Sequence, residues 1–564
     1  MKIKLRPHQE KVLNTLLKNC DRYERFFINM PTGGGKTVVV LKFFEELRDI
    51  GLAKQLFVFT RTRNEFAPYL RDIKKFEADM RYVYLIAKRD LCTNPRMWGS
   101  HVEDVNPCEV CEIRRRYLDP SEVFGLVMHG ADLKRFAKNL RFCGYYSVRK
   151  AIAAADVVAL TYPYGFTPRI KIFERDLGCL GNSQIAVVDE AHNLENISDL
   201  YSRVLTVEDI ERIRNMAFVE NEVDEYDLNA LMRWLEKVRN AKEVLLNKNE
   251  VPELDVEPCE LMLKNLLAEY IETEDRSVKR ELRECMRSVS RLWRFYTSVG
   301  EEDVELFSHR NGVRLRMILP KEPIRMFSRV FRRAVFMSGT LPPPDYIEKI
   351  WGLGGLYIDV EDDLKNFGRR TFYCDRSLTT KYEKREAMIP KICEVLGKLL
   401  NKLYGVKLVV FPSYDFMSKI LSRFDDAKEN FIVEDKKTTI KSVEEEVESG
   451  KDVLFAVAGG KLTEGIELVD EKKQQSLIKH VIMVGVPYPE VSPYMESRTR
   501  KIAELVGSLN TFRYAYHVPA LLLTKQAIGR AVRFENDEVN VWLLDERFVR
   551  FAKELKVDKL HFFS

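Results

Sequence analysis

Short runs of consecutive apolar residues, each closed by a polar or glycine-rich stretch, recur in two blocks along the chain. In the first block "RFFINM" leads into "PTGGGKT" and then "VVVLKFFEEL", the pattern of a strand, a loop and a helix. "KQLFVFT" and "QIAVVDEAH" repeat the strand and its loop. In the second block "GVKLVVFPSY", "DVLFAVAGG", "HVIMVGVPYP" and "VNVWLLDE" do the same. Strands that are apolar throughout, rather than at every second position, belong to parallel sheets covered by helices on both faces. The pattern therefore predicts an α/β fold with two parallel-sheet domains, residues 1–200 plus 326–350 and residues 351–564, with functional loops at the carboxyl ends of the strands.

Two stretches break this rhythm. Residues 85–150 show no strong strand, and residues 201–325 read as charged helices such as "LNALMRWLEKVRNAKEVLL" and "RELRECMRSVSRLWRFY". Both are expected to be insertions, dividing the first domain into 1–84, 151–200 and 326–350. A chain of 564 residues has room for such a plan, at about 150 residues per domain.

Charge separates the two insertions. Residues 61–150 carry 18 Lys/Arg against 12 Asp/Glu, whereas residues 201–275 carry 9 against 19. With a net charge of only +5, nucleic acid would have to be held by local patches rather than by the molecule as a whole. The first residues hold no apolar stretch of signal-peptide length, and no segment approaches ~18 uncharged apolar residues. The expectation is a cytoplasmic monomer with no membrane span, whose ten cysteines are reduced thiols or metal ligands.

The candidate chemistry sits where strands end. In "PTGGGKT", Gly33, Gly34 and Gly35 let the backbone turn its N–H groups toward phosphates. Lys36 would reach the β- and γ-phosphates, and the Thr37 hydroxyl would hold Mg²⁺. The strict pattern asks for glycine at position 30, where this chain has Met30. "AVVDEAH" ends a strand in Asp189 and Glu190, one carboxylate for Mg²⁺ and one to deprotonate the attacking water. "QAIGRAVR" puts Arg530 and Arg533 three residues apart, expected on one helical face. Arginines that reach the γ-phosphate from a second domain tie hydrolysis to domain closure. Cys92, Cys108, Cys111 and Cys143 follow a C-x15-C-x2-C-x31-C spacing. By itself that spacing fits a tetrahedral Zn²⁺, an iron–sulfur cluster or plain core cysteines.

The ordered set "PTGGGKT", "DEAH", "SGTL", "FPSY", "GGKLTEGIEL" and "QAIGRAVR" resembles a superfamily 2 helicase, and more narrowly the XPD family of iron–sulfur DNA helicases, with the bacterial DinG helicases as relatives. The resemblance covers nearly the whole chain. It implies that the four cysteines hold a [4Fe–4S] cluster, and that residues 201–325 form an arch facing the cysteine domain around a passage for single-stranded DNA. It adds Gln9, His192, Gly465, Glu467 and Gln526 to the nucleotide contacts. Family members usually carry Asp where Glu467 stands. The other six cysteines (Cys20, Cys179, Cys259, Cys285, Cys374 and Cys393) read as core.

For the strand track, Tyr145, Tyr146 and Arg149 lie beside Cys143, and Lys88 lies just before Cys92. Arg61, Tyr162, Ser413 and Thr463 occupy loops after strands, where this family touches DNA. Aromatic stacking contributes about 1–3 kcal/mol per base without reading sequence, and no helix-turn-helix or zinc-finger spacing is present. The resemblance implies an ATP-dependent 5′-to-3′ helicase on single-stranded and forked DNA, in nucleotide excision repair. A DinG-like helicase acting on replication conflicts or RNA–DNA hybrids stays open, as does a damage-verifying clamp whose ATPase only switches conformation.

Overall fold

The computed structural model describes residues 3–31, 33–176, 183–216, 224–361, 364, 367–424, 430–470 and 472–563. Thr32 of the glycine loop and Cys179 lie outside them. Two seven-stranded parallel sheets form the body, as the apolar runs predict. Across the first sheet the order is Leu356–Asp359, Arg25–Asn29, Arg333–Ser338, Gln184–Asp189, Gln55–Thr60, Val157–Thr161 and Tyr82–Leu85. Across the second it is Phe431–Val433, Val453–Val457, Val406–Phe411, Ile478–Met483, Glu538–Leu543, Arg369–Asp375 and Leu560–Phe563.

Register in the first sheet decides where the chemistry collects. Asn29 pairs with Ser338, and Met337 pairs with Asp189. Three strands therefore end level, placing the glycine loop, the "SGT" turn and the "DEAH" turn on one edge. The helix Lys321–Val330 packs on the sheet through Phe327, which stacks on Phe166 at 4.6 Å and packs edge-on against Phe59 and against Phe336 of strand Arg333–Ser338. Each such aromatic pair is worth about 0.5–1.5 kcal/mol beyond its buried area.

The structure corrects the expected limits of the first domain. Strand Leu356–Asp359 lies beyond residue 350, yet it pairs with Arg25–Asn29 and so belongs to the first sheet. The chain reaches that edge through Gly355, where a Cβ would fall 2.4 Å from the carbonyl oxygen of Arg25. The 201–325 insertion is also not purely helical. Strands Arg203–Thr206, Leu245–Leu246, Val304–His309 and Gly312–Met317 form a small antiparallel sheet at its root. The insertion has its own core, including Leu228, Leu263, Met286 and Leu292. The cysteine insertion is built from short helices and turns around Val123, Ala137 and Val148. Among the described residues no helix is long and apolar enough to cross a membrane.

Candidate functional site

The glycine loop sits at the amino end of helix Lys36–Asp49. Gly33 and Gly35 adopt positive φ (84° and 85°), which turns successive N–H groups to one side. A Cβ at Gly33 would lie 2.7 Å from the carbonyl oxygen of Arg533, so only glycine lets the second domain approach this closely. Gln9 packs on the loop itself, its Nε2 donating to the Gly34 carbonyl at 3.0 Å. His8 reaches the same oxygen at 2.9 Å. Gln9 thus supports the loop directly. Lys36 is buried, with Nζ 3.4 Å from Glu190 Oε1, and Thr37 follows it in the first turn of the helix.

Asp189 and Glu190 are poised differently. Asp189 is buried, and that burial, reinforced by the charge of Glu190, raises its pKa to about 7. Its Oδ2 accepts a hydrogen bond from Tyr69 at 2.9 Å. Glu190 is held well below the usual carboxylate range: burial opposes its charge, but Lys36, His192 and Arg530 outweigh that. Its backbone is left-handed at φ 49°, a conformation that costs about 1–3 kcal/mol when not glycine. The Tyr162 hydroxyl donates to the carbonyls of Asp189 and Glu190 at 2.5 and 3.0 Å, bracing that turn. Ser338 of "SGT" donates to Glu190 at 3.2 Å and pairs with His192 Nδ1 at 2.7 Å. Ser338 and Tyr69 were not singled out from the sequence; the quoted "SGTL" was the signal for Ser338, and nothing marked Tyr69.

The second domain brings its arginines across the cleft, though not on a helix. The helix Val518–Gly529 stops one residue short, and both arginines lie in the following turn. Asp537 holds that turn, accepting from the backbone N–H of Arg533 at 2.7 Å and of Phe534 at 2.8 Å. Arg530 donates to the Thr463 carbonyl at 2.8 Å. Arg533 is buried, donates to the Ile466 carbonyl and pairs with Glu467 at 3.2 Å. Its Nε and Nη1 have no partner. Burial and the neighbouring Arg530 push its pKa down to about 10. A buried guanidinium with two unpaired donor nitrogens is a donor set for an anion. Glu190, His192, Arg370, Gln526 and Arg530 line one cavity between the domains. The Gln526 Oε1 is buried without a partner. Gly465 ends the short helix Lys461–Gly465 and packs on Ile440.

On the other side of the cleft the expected DNA contacts divide. Arg61 is ion-paired with Glu464 of the second domain and donates to Asn193 at 3.2 Å. Ser413 caps the helix Tyr414–Leu421, its hydroxyl accepting from Phe416 N–H at 3.2 Å. Tyr146 is half-buried, its ring faced by Arg114 and Arg149 at 5.5 Å each. Three expectations are corrected. Tyr145 is 2% exposed and Tyr162 4%, so neither ring has a face for a base. Thr463 is fully buried, its hydroxyl spent on the carbonyls of Val457 and Gly460. All three have a half-buried neighbour in sequence, but their own side chains point into the packing. Lys88 is drawn inward as well, donating to Asn106 at 2.9 Å and lying over Tyr145. A further ion pair joins the domains in the dry: Arg498 donates to Glu195 at 2.8 Å, with Tyr346 and Trp351 donating to the same carboxylate at 2.6 Å.

Cys92, Cys108, Cys111 and Cys143 line one cavity, with Lys88, Asn94, His101 and Arg114. Cys92, Cys108 and Cys143 are buried, and burial raises all three thiols, Cys92 to about 11. Asn94 Nδ2 already donates to Cys111 Sγ at 3.4 Å. Among the described residues no three His, Cys, Asp or Glu side chains converge closely enough for a single metal ion. The described cysteines outside it, Cys20, Cys259, Cys285, Cys374 and Cys393, are buried or half-buried. The cavity's outer wall is gripped by the arch, where Arg294 and Ser290 bind Asp104 at 2.7 Å and Tyr270 donates to the Trp98 carbonyl.

A phosphate loop and an acidic pair on one parallel sheet, faced by arginines from a second, define an ATP-hydrolysing helicase motor. The DEAD_2 family model matches residues 58–210 and the helicase C-terminal domain model residues 396–557. The ATP-dependent DNA helicase XPD of Sulfolobus acidocaldarius is 31% identical over 98% of both chains. A solved XPD helicase superposes with a TM-score of 0.78 at 28% identity, covering 100% of both chains. The ATP-dependent DNA helicase CHL1 of Saccharomyces cerevisiae is more distant, 23% identical over 84% of this chain and 65% of its own. The chain belongs to the XPD family of ATP-dependent DNA helicases.

Proposed function

We propose that this helicase translocates 5′-to-3′ on single-stranded DNA, opens forked duplexes and serves nucleotide excision repair. The observation that carries the motor reading is Arg533, a buried guanidinium with two unpartnered nitrogens across a closed cleft from Glu190. In this reading the loop N–H groups and Lys36 bind the phosphates of ATP, and Thr37 and Asp189 hold Mg²⁺. When bound, the ion neutralises developing phosphate charge. Lys36, now beside Glu190, turns to the nucleotide, and Glu190 accepts a proton from the attacking water. Arg530 and Arg533 stabilise the transferring phosphoryl only while the domains are closed, so each turnover is a closure. Polarity and pathway rest on the resemblance to XPD. The test is unwinding of forks with only a 5′ or only a 3′ single-stranded tail; opening of the 5′-tailed fork alone is expected, and preference for the 3′ tail overturns the polarity.

We also propose that Cys92, Cys108, Cys111 and Cys143 hold a [4Fe–4S] cluster, supported by their shared cavity and its thiol-only donor set. The four side chains would ligate it as thiolates, and the cluster would supply a rigid cross-link to a region without a sheet. Iron and acid-labile sulfide on anaerobically purified protein test this, with about four of each per chain expected. Residues 85–150 then form the cluster domain and residues 201–325 the arch. The second motor domain begins after Asp359.

A further inference from the structure

In the wall of the cysteine cavity one polar atom is unaccounted for. His101 lines the cavity beside Cys92, Cys108, Cys111 and Cys143. Its Nε2 is shut off from solvent and has no hydrogen-bond partner. Buried polar nitrogens are almost always paired, and an unpaired one in a native fold marks a missing ligand, ion or water. No carboxylate lines this cavity; the remaining polar side chains there are Lys88, Thr93, Asn94, Arg114 and Tyr145, the last hydrogen-bonded to Tyr164. Lys88 is occupied by Asn106, Thr93 by the Phe142 carbonyl at 2.6 Å, and Asn94 by Cys111. What the cavity offers to an imidazole N–H is sulfur.

The segment that carries the ring is also fixed on both sides. The Ser100 hydroxyl donates to the Met97 carbonyl at 2.8 Å on one side of it. On the other, Asp104 is clamped by Arg294 and Ser290 of the arch helix Arg276–Val299. A segment fixed at both ends presents its side chain at one distance and angle, which is what a tuning contact needs.

We propose that His101 donates an Nε2–H···S hydrogen bond to the cluster held by the four cysteines, and that this bond sets the cluster's reduction potential. The proposal rests on the [4Fe–4S] reading above. Each hydrogen bond to a cluster sulfur offsets negative charge, and the reduced cluster carries one electron more, so the bond favours reduction. His101 is a positioning and tuning residue; it is not a ligand.

The test is the midpoint potential of the one-electron couple, read by mediated titration with electron paramagnetic resonance detection of the reduced cluster. It would be run on the full chain as wild type, His101→Leu and His101→Gln, with iron counted first. Expected are equal iron in all three, a potential shifted lower in His101→Leu, and a potential nearer wild type in His101→Gln, which keeps a donor. Loss of iron from His101→Leu alone, with His101→Gln loaded, would also support the donor role. A His101→Leu protein that is fully loaded and titrates at the wild-type potential overturns the proposal. So does loss of iron from both variants, because the cavity would then need the ring's volume and not its N–H. Wild-type protein without iron overturns the cluster reading itself, before any potential is measured.

Discussion

The nucleotide cleft and the cysteine cavity each enclose buried polar nitrogens with no partner, Arg533 Nε and Nη1 in one and His101 Nε2 in the other. They are built in opposite ways. The cleft hangs on two seven-stranded sheets, and strand register alone brings Asn29, Ser338 and Asp189 level. The cavity has no sheet; its four thiols come from short helices and turns spread over residues 92–143. A site on sheet edges keeps its shape whatever it binds. A site on turns needs its contents, or a clamp such as the arch, to stay assembled. Loss of one group should therefore stop chemistry in the cleft and undo structure in the cavity.

The largest expected effect separates the two most cleanly. Lys36→Ala should reduce ATP hydrolysis to background, while single-strand binding and iron content stay at wild-type level. Arg533→Ala should lower kcat by roughly 10³–10⁵, the range for an arginine finger, with its iron content equally unchanged. Steady-state ATPase and iron assays check both. Cys108→Ser should do the reverse: iron is lost and residues 85–150 become open to limited proteolysis, while DNA-independent ATP turnover persists. If proteolysis left that region intact, the cavity would be as self-supporting as the cleft, and the contrast would fail.

Smaller effects sharpen the picture. Tyr146→Ala removes the one half-buried ring of the expected pair and should weaken single-strand binding by about 1–3 kcal/mol, the contribution of one stacked base; Tyr145→Phe should not change affinity. Fluorescence anisotropy on a short oligonucleotide distinguishes them. The pKa of Asp189 is raised to about 7 by burial and by Glu190. Below that pH the carboxyl is protonated and Mg²⁺ must displace a proton, so ATPase at limiting Mg²⁺ should fall as pH drops from 7 to about 6. The Tyr69 hydroxyl stabilises the ionised form. Tyr69→Phe should move this acid limb to higher pH, which a pH–rate profile would show.

Most of the cleft was legible in the chain because its signals are local. An apolar run, a glycine loop and a charged pair at a strand end each report their own neighbourhood. What escaped notice depended on partners far away. Strand Leu356–Asp359 is four residues long, and its place in the first sheet follows from Gly355 meeting Arg25. The hairpin at the arch root was missed although Val313, Leu315 and Met317 are buried in alternation with Arg314 and Arg316, the period of a half-buried strand. Tyr145 was assigned to DNA because it stands beside Cys143, and Tyr162 and Thr463 because they lie in loops after strands where the family touches DNA. Adjacency in sequence does not tell which way a side chain points, and burial reversed all three. Tyr69 carries no motif; only the fold shows it under Asp189.

Two of the ion pairs that join the motor domains differ in the same spirit. Arg61 is 41% exposed in its contact with Glu464, whereas Arg498 and Glu195 are 7% and 14% exposed. Parting the first pair trades one wet contact for water at a cost of about 1 kcal/mol or less. Parting the second strands a buried charge, at about 3–5 kcal/mol. Arg498 is thus a fixed fastening between the motor domains, and Arg61 a clasp that salt or a phosphate can undo.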